Sequence, residues 1–305
     1  MSYLSYALIT AAKNEESFIG QTLESIVNQT RLPKIWIIVS DGSKDRTDEL
    51  VMEFASKQEF IRLLRLDNKG ARAFSSQAFA LNVGYEAIKE TEFEFIGFLD
   101  ADITLDSVYY EKVLAIFQAN PRLGVAGGDI LERRSGRLQL RFGNSKDNVA
   151  GAVQLFRRRC YEDIGGRLIP LQFGGHDAVA NIMARMKGWL VQTLSDLPVV
   201  HHRPTGTAAT TLWRALLQSG KEDYVIGYNP VFEIGKCIRR TMQRPFVIAS
   251  VLRFCGYVCT WFTCQRKGLP DEFLRYLKQE QMSRILGGVR GLKRGIPIPE
   301  RTSYE

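Results

Sequence analysis

The sequence predicts an α/β protein with a mostly parallel central sheet and helices on both of its faces. In the first hundred residues, apolar segments of strand length alternate with segments whose apolar residues recur every three to four positions. The strand segments are apolar almost without interruption, which is typical of strands covered by helices on both sides. This alternation of strand and helix favours a parallel sheet.

The strands are predicted first, because their apolar segments are the clearest signal. They lie at 6–12 (YALITAA), 35–40 (IWIIVS), 60–66 (FIRLLRL) and 93–99 (FEFIGFL). The N-terminal stretch MSYLSYALIT has neither a basic segment nor a small-residue cleavage site, so we interpret it as leading into a buried strand and not as a signal peptide.

The intervening helices follow from apolar periodicity. The first has Ile19, Leu23, Ile26 and Val27 on one face. The second is predicted to begin at Thr47, whose hydroxyl suits a helix N-cap. The third is predicted at 76–90 and carries Phe79, Val83 and Ala87.

The C-terminal part is basic, apolar and aromatic. Seven Lys or Arg residues and no acidic residue lie between Lys236 and Lys267, around the apolar stretch 246–264 (FVIASVLRFCGYVCTWFTC) with Arg253 at its middle. One interpretation is a segment that lies at a membrane surface, and the other is a buried helical hairpin packed on the catalytic domain. Nucleic acid is disfavoured as a partner because no nucleic-acid-binding motif accompanies the charge.

Cysteine usage is consistent with a cytoplasmic chain. The five cysteines show no zinc-ligand spacing with a histidine, and three of them lie in the apolar C-terminal stretch. We therefore expect reduced thiols that serve packing.

Acidic turns follow three of the predicted strands. Lys13 to Glu16 follow the first, Asp41-Gly42 the second and Asp100-Ala101-Asp102 the fourth. Parallel strands end at the same edge of a sheet, where α/β proteins bind ligands, so these turns predict a site. The glycine-rich dinucleotide fingerprint is absent after the first strand, which disfavours a hydride-transferring enzyme.

Asp100 and Asp102 pose a specific question, because two carboxylates one residue apart repel each other unless a cation lies between them. They form either a solvated turn or a cation site. Asp102 or Asp106 would alternatively cap the following helix, and Asp106 suits that role better because Ser107 and an apolar-periodic run follow it.

Five blocks in order, within residues 4–205, resemble the inverting nucleotide-sugar glycosyltransferases of family 2, which have the GT-A fold. The blocks are TAAKNEESFIGQTLESIVNQT, IIVSDGSKDRT, FALNVG, FIGFLDADIT, and GAVQLFRRRCYEDIGG with GGHDAVANIMARMKGW. The resemblance implies a catalytic domain at 1–225, with nucleotide-sugar binding in 1–105 and the acceptor side in 106–225. A helical, membrane-associating region would occupy 226–305.

The resemblance also implies a donor site. Asp102 would ligate Mn²⁺ or Mg²⁺, and Asp100 would contact ribose or a water molecule. Asp41 would bind the nucleobase, commonly uracil, although an aspartate before glycine also stabilises turns. The other donor-site residues implied are Thr10, Ala12 and Glu15, which would line the base and ribose pocket, and Arg72, which would neutralise phosphate.

On the acceptor side, Asp177 resembles the family's general base, although an aspartate at a helix start also serves as a cap. Family members usually carry Glu-Asp where this chain has His176-Asp177, so the role of His176 stays open. A late histidine, His201 or His202, would complete the metal site or be structural. Arg203 would contact phosphate through its fork of donors.

Together these features predict a metal-dependent inverting transferase that moves a sugar from an NDP-sugar, preferentially a UDP-sugar, to a saccharide or lipid-linked saccharide. We expect it in the cytoplasm, peripheral at the inner face of the cell membrane. Two alternatives are a sugar nucleotidyltransferase, although its glycine- and arginine-rich first turn is missing, and an inactive carbohydrate- or membrane-binding protein of the same fold.

Overall fold

The computed structural model describes residues 4–67, 74–134, 136–141, 145–203, 212–241, 246–264 and 268–293. The chain divides into two compact units, Met1–Ala209 and Thr210–Glu305. Residues 210–225, which the sequence-based division assigns to the catalytic domain, fall in the second unit.

The first unit alternates strands and helices. Its strands are β1 (Tyr6–Ala12), β2 (Ile35–Ser40), β3 (Ile61–Arg65), β4 (Phe95–Leu99), β5 (Ile103–Thr104), β6 (Leu123–Arg134), β7 (Arg137–Leu140), β8 (Val153–Arg157) and β9 (Leu190–His201). Its helices are α1 (Ile19–Val27), α2 (Thr47–Ala55), α3 (Phe74–Glu86), α4 (Tyr109–Ala119), α5 (Arg158–Asp163) and α6 (His176–Met186).

The strands form one sheet in the order β3-β2-β1-β4-β8-β6-β9-β5, with β7 paired to β6. The four predicted strands, β1 to β4, are parallel neighbours, and β6 pairs in parallel with β9. The predicted fold class is confirmed. β8 adds antiparallel pairs with β4 and β6, and the short β5 pairs antiparallel with β9.

Helices cover both faces of this sheet, and the alternation of side chains within β1 shows why its strands are apolar throughout. Tyr6 and Leu8 pack in a core with α1, α2 and α4, whereas Ala7 and Ile9 pack in a second core with α3, α5 and α6. Successive side chains of a strand point to opposite faces, so a strand between two helical layers must be apolar at every position.

One local prediction is wrong. Thr47 does not cap α2: its hydroxyl accepts a hydrogen bond from the backbone N–H of Glu15 at 2.7 Å. The prediction used residue type, which cannot detect a partner from a distant segment. In α3, Ala78, Leu81 and Tyr85 pack in the core and Phe79 is 57% exposed.

The second unit is helical, with α7 (Leu212–Ile226), α8 (Pro230–Arg239), α9 (Phe246–Thr263) and α10 (Asp271–Lys293). α7 and α9 pack with their backbones very close, because a Cβ on Gly220 would lie 1.8 Å from the carbonyl oxygen of Arg253, and one on Gly256 would lie 2.1 Å from that of Leu217. Within the described residues, every helix is too short or too polar to cross a bilayer.

Buried charges join three of these helices. Asp223 of α7 accepts hydrogen bonds from Lys236 of α8 at 2.6 Å and from Arg253 of α9 at 2.7 Å. Burial raises the pKa of Asp223, but the two cations outweigh it and the net shift is downward. The cation at the middle of the apolar stretch therefore points into the helical unit.

Candidate active site

The turns after β1, β2 and β4 lie at one edge of the sheet, as predicted from the parallel order. Ala12 pairs with Ser40, and the backbone N–H of Asp41 donates to the carbonyl of Ala12 at 2.8 Å. Lys13 reaches across to Asp41, with Nζ 3.4 Å from Oδ2. Asp41 is thus held at the edge, 4% exposed, beside a cation.

Asp100, Asp102 and His201 form a compact cluster at the end of β4. One ligand atom from each lies within 4.8 Å of the others. His201 Nε2 is 3.2 Å from Asp102 Oδ1, and Gln77 Nε2 donates to Asp100 Oδ1 at 2.9 Å. Gln77 has no signal in the sequence, because a glutamine in the first turn of a helix is usually a surface residue.

The pairing of β5 with β9 brings the histidine to the aspartates. Ile103 pairs with His201, and the backbone N–H of His202 donates to the carbonyl of Asp102 at 3.0 Å. His202 points elsewhere: its Nε2 lies 3.0 Å from the Thr104 hydroxyl, and its ring stacks on Phe18. Of the two histidines left open by the sequence, His201 faces the aspartates.

The electrostatics of His201 match a cation site. Burial lowers the pKa of His201, but the hydrogen bond to Asp102 and the charges of Asp102, Asp100 and Glu132 outweigh it, so its pKa is raised. The cluster thus favours a positive charge. Its donors are two carboxylates and one imidazole, a set that fits a divalent cation, and the nitrogen favours Mn²⁺ over Mg²⁺.

Arg203 lies beside the same cluster. Its Nη2 contacts Glu15 Oε2, its Nε is 3.6 Å from Asp102 Oδ2, and its guanidinium lies 5.0 Å from the centre of the Phe18 ring. Arg203 therefore contacts Glu15 and lies close to Asp102, two of the residues expected to bind the donor. Its fork of N–H donors suits a diphosphate.

Glu15 is fixed in place by the first residue of α2. Its backbone N–H is held by Thr47, and its side chain is 2% exposed. The preceding Asn14 has φ 53°, in the left-handed region, and its Oδ1 accepts from the backbone N–H of Lys44 at 2.8 Å. The turn after β1 is thus rigidly tied to the turn after β2.

Two other predicted donor-site residues, Thr10 and Ala12, are not brought into the cluster. Thr10 is fully buried and its hydroxyl accepts from Trp36 Nε1 at 3.0 Å, while Ala12 is 1% exposed in the core. Both side chains are buried inside the first unit. Arg72 lies outside the described residues.

Asp177 lies in the first turn of α6. Two glycines with positive φ, Gly174 at 94° and Gly175 at 91°, form the turn before this helix. The backbone N–H of Gly151 donates to Asp177 Oδ2 at 2.9 Å. A Cβ on Gly151 would lie 2.8 Å from that of Asp177, so only a residue without a side chain fits there.

A buried pair of amides holds the backbone of Asp177. Gln154 Nε2 donates to the carbonyl of Asp177 at 3.2 Å and to Asn181 Oδ1 at 3.1 Å. Asn181 Nδ2 in turn donates to the carbonyl of Val149 at 2.7 Å. These contacts join β8 to α6, and residue types alone gave no signal of them.

His176 is turned into the protein. It is 8% exposed, and its Nδ1 is buried without a hydrogen-bond partner in the part of the chain that the structure describes. Burial lowers its pKa more than the neighbouring charge of Asp177 raises it. His176 therefore packs as a neutral ring behind Asp177.

Asp106 does not cap α4, because the N-cap position of that helix is Val108 and no side chain caps it. The Oδ1 of Asp106 accepts from the backbone N–H of Val108 at 3.1 Å, in the turn before the helix. This leaves Asp100 and Asp102 to the cluster with His201.

Solved structures with a similar architecture identify the fold. Mannosyltransferase PcManGT from Pyrobaculum calidifontis, in complex with GDP-Man and Mn²⁺, superposes with a TM-score of 0.56 and 16% identity over 97% of this chain and 89% of that chain. S. aureus TarS 1–349 in complex with UDP-GlcNAc gives a TM-score of 0.54 and 14% identity over 96% and 92%. The fold is the GT-A fold of glycosyltransferases.

Sequence comparisons give the same indication. Residues 7–139 match the model of glycosyl transferase family 2. Poly-beta-1,6-N-acetyl-D-glucosamine synthase of Staphylococcus epidermidis is 28% identical over 178 residues, 52% of this chain and 41% of that protein. These matches agree with the resemblance to family 2 glycosyltransferases, and the chain spans about two fifths of the length of the curated relatives it matches.

Proposed function

We propose that this chain transfers a sugar from a UDP-sugar to a hydroxyl group of a saccharide or lipid-linked saccharide, with inversion at the anomeric carbon. One observation carries the proposal. Gly151 binds the carboxylate of Asp177, and the carbonyl of the next residue, Ala152, accepts from the backbone N–H of Asp100 at 3.0 Å. Two adjacent backbone residues, Gly151 and Ala152, therefore contact the candidate base and the acidic cluster respectively.

The donor end of the site suits a diphosphate with a divalent cation. Asp102 and His201 would ligate the cation directly, and Asp100, oriented by Gln77, would complete the cluster. When bound, a divalent cation compensates the negative charge on the departing nucleoside diphosphate. Arg203 would contact the same phosphates, and the Mn²⁺ in the PcManGT complex supports this assignment.

The base and ribose of the donor would lie over the turns after β1 and β2. Asp41 would accept from the nucleobase, and Glu15 would accept from a ribose hydroxyl. UDP is proposed as the nucleotide because TarS has been solved with UDP and with UDP-GlcNAc, and because the curated relatives make an N-acetylglucosamine polymer.

Asp177 would act as the general base. The acceptor hydroxyl loses its proton to the Asp177 carboxylate as its oxygen bonds to the anomeric carbon, and the bond from that carbon to the phosphate oxygen breaks. The bonding electrons leave with the nucleoside diphosphate. Attack from the side opposite the leaving group converts an α-linked donor into a β-linked product.

The setting we propose is cell-surface polysaccharide or glycan synthesis, with the enzyme peripheral at the inner, cytoplasmic face of the cell membrane. The curated relatives support the polymer, since their names describe polysaccharide synthases. A lipid-linked acceptor would be presented at that face.

Incubation with UDP-sugars and Mn²⁺ tests the proposal. The expected result is release of UDP together with a glycosylated acceptor or free sugar. Pyrophosphate-dependent formation of UTP would instead identify a sugar nucleotidyltransferase. Donor binding without turnover of any donor or acceptor would identify an inactive binding protein of the same fold.

A further inference from the structure

The outer face of α9 is apolar along the whole helix. Val247, Ile248, Val251 and Phe262 are 58%, 56%, 52% and 84% exposed. Cys255 and Cys259 are exposed between them. After the adjacent pair Val247 and Ile248, these positions recur every three to four residues, so they form one stripe along the helix. The helix has 18 residues and is about 27 Å long at the usual helical rise. We call these six residues the α9 stripe.

The opposite face of α9 packs inside the helical unit. Ala249, Gly256 and Tyr257 are buried, and Gly256 lets the backbones of α9 and α7 approach closely. Arg253, the only charged residue in the helix, is directed inward to Asp223. The ion pair therefore removes the one charge that would interrupt the exposed stripe.

The charges around the stripe are positive. No Asp or Glu occurs between Lys236 and Lys267. Lys236 and Arg253 are both paired with Asp223, whereas Arg239 is exposed at the end of α8. In the sequence, Arg244 stands two residues before α9, and Arg266 and Lys267 follow shortly after its end. Along the sequence, cations therefore flank α9 on both sides.

An apolar stripe on a helix that cations flank in the sequence complements the surface of an anionic bilayer. Interfacial helices bury their apolar face at the boundary between head groups and acyl chains, and flanking Lys and Arg residues contact anionic head groups. A helix whose other face is packed on a neighbour and carries a buried ion pair has one face available to lipid. Such a helix lies along the surface.

We infer that the α9 stripe is a docking surface for anionic lipid and seats the second unit on the membrane with α9 parallel to the bilayer plane. The inference rests on the proposed peripheral location and names the surface responsible for it. The transfer chemistry does not depend on it, because the stripe contains none of the residues assigned to the reaction.

Vesicle binding by the full chain tests the inference. Flotation with phosphatidylglycerol–phosphatidylcholine vesicles should be strong at low salt and weak with phosphatidylcholine alone. Val251→Glu should weaken binding to the anionic vesicles about tenfold or more, because it buries a charge in place of an apolar contact. Met52→Glu is the matched control: Met52 is 51% exposed on α2 in the first unit, and its substitution should leave binding unchanged.

The two cysteines of the stripe report contact directly. Cys255 and Cys259 should react with a water-soluble maleimide in the free protein and be protected by anionic vesicles. Equal reactivity with and without vesicles, or equal flotation of both variants, would overturn the inference. The inference would also be overturned if the protein bound no lipid and instead formed a dimer that Val251→Glu dissociates, as measured by light scattering. The stripe would then bind a second copy of the chain.

The same samples separate this inference from the proposed function. Release of UDP from a UDP-sugar is measured without vesicles in the parent protein and in both variants. Vesicle binding without UDP release would count against the proposed function alone. UDP release with no protection of the stripe would count against the docking surface alone.

Discussion

Asp177 is held from two sides, by a backbone N–H on its carboxylate and by a side-chain amide on its carbonyl. A carboxylate fixed in this way loses little entropy when it receives a proton from a positioned hydroxyl. An aspartate that caps its own helix accepts from a backbone N–H of that helix. The N–H that donates to the Asp177 carboxylate belongs instead to Gly151, in the segment before β8, and not to α6.

Replacing the base tests its role. Asp177→Asn should lower kcat by about 10²–10⁴-fold while leaving the KM for the donor nearly unchanged, because an amide cannot accept the proton. Steady-state kinetics with a fixed acceptor measures both constants. Asp196→Asn, at an exposed position of β9, is the control and should behave as the parent does. Unchanged kcat in Asp177→Asn would remove the base assignment.

Substitution of Gly151 tests the position of the Asp177 carboxylate without removing it. Gly151→Ala places a methyl group 2.8 Å from Asp177 Cβ and 3.0 Å from its Oδ2, so the carboxylate must move. A displacement of this kind should lower kcat by about tenfold to a hundredfold, with donor affinity retained. Gly20→Ala in α1 is the matched control, because nothing lies within 4 Å of the added Cβ. If both variants turn over at the parental rate, the position of Asp177 does not limit catalysis.

At the scale of elements, the packing of α7 on α9 depends on two glycines. A Cβ on Gly220 or Gly256 would meet backbone carbonyl oxygens, which have no freedom to move aside. The helices would separate, and the ion pairs of Asp223 with Lys236 and Arg253 would be strained with them.

Gly256→Ala should therefore destabilise the helical unit by about 1–3 kcal/mol. Hydrogen exchange of the α7 and α9 amides measures this locally. Gly235→Ala in α8, where the added Cβ has open space, should stabilise its helix by about 0.5–1 kcal/mol. Equal protection in the two variants would show that the helices do not pack this closely.

Glu233 makes the same unit sensitive to pH. Burial, reinforced by the charge of Asp223, raises the pKa of Glu233 to about 7. Its Oε2 is buried without a hydrogen-bond partner among the described residues, as suits a protonated acid. The folded state then binds the proton more tightly than the unfolded state, so this group's contribution to stability falls as pH rises from the ordinary range of a glutamate towards 7.

Glu233→Gln should remove that pH dependence, because the amide resembles the protonated acid at every pH. Thermal unfolding between pH 5 and pH 8 measures it, with Glu272→Gln at an exposed position of α10 as the control. The control should keep the parental slope. The assignment fails if Glu233→Gln keeps that slope as well.

The sequence and the structure agree where local pattern determines the outcome. The strands of the parallel sheet were predictable because burial on both faces requires apolar residues throughout, as in β2, whose six residues are all buried. The edge site was predictable because parallel strands end at the same edge of the sheet.

The contact of His201 with Asp102 was not predictable, because it depends on the pairing of β5 with β9, and the register of distant strands leaves no local signal in the sequence. The contact of Gln77 with Asp100 has the same cause.

At the scale of the whole molecule, the chain combines two units with different tasks. The first contains the cluster of Asp100, Asp102 and His201, and Asp177, the proposed base. The second carries an apolar stripe and a positive charge balance suited to a lipid surface. This combination suits an enzyme whose acceptor is presented at a membrane.

The central claim is that the acidic cluster after β4 binds a nucleoside diphosphate through a divalent cation. Calorimetric titration of UDP into the protein, with Mn²⁺ and with EDTA, tests it most directly. We predict at least about tenfold tighter binding with Mn²⁺. That gain should be lost in Asp102→Asn and kept in Asp106→Asn, because the Asp106 side chain accepts from the backbone N–H of Val108 in the turn before α4. Equal UDP affinity with and without Mn²⁺, or an undiminished gain in Asp102→Asn, would contradict the claim.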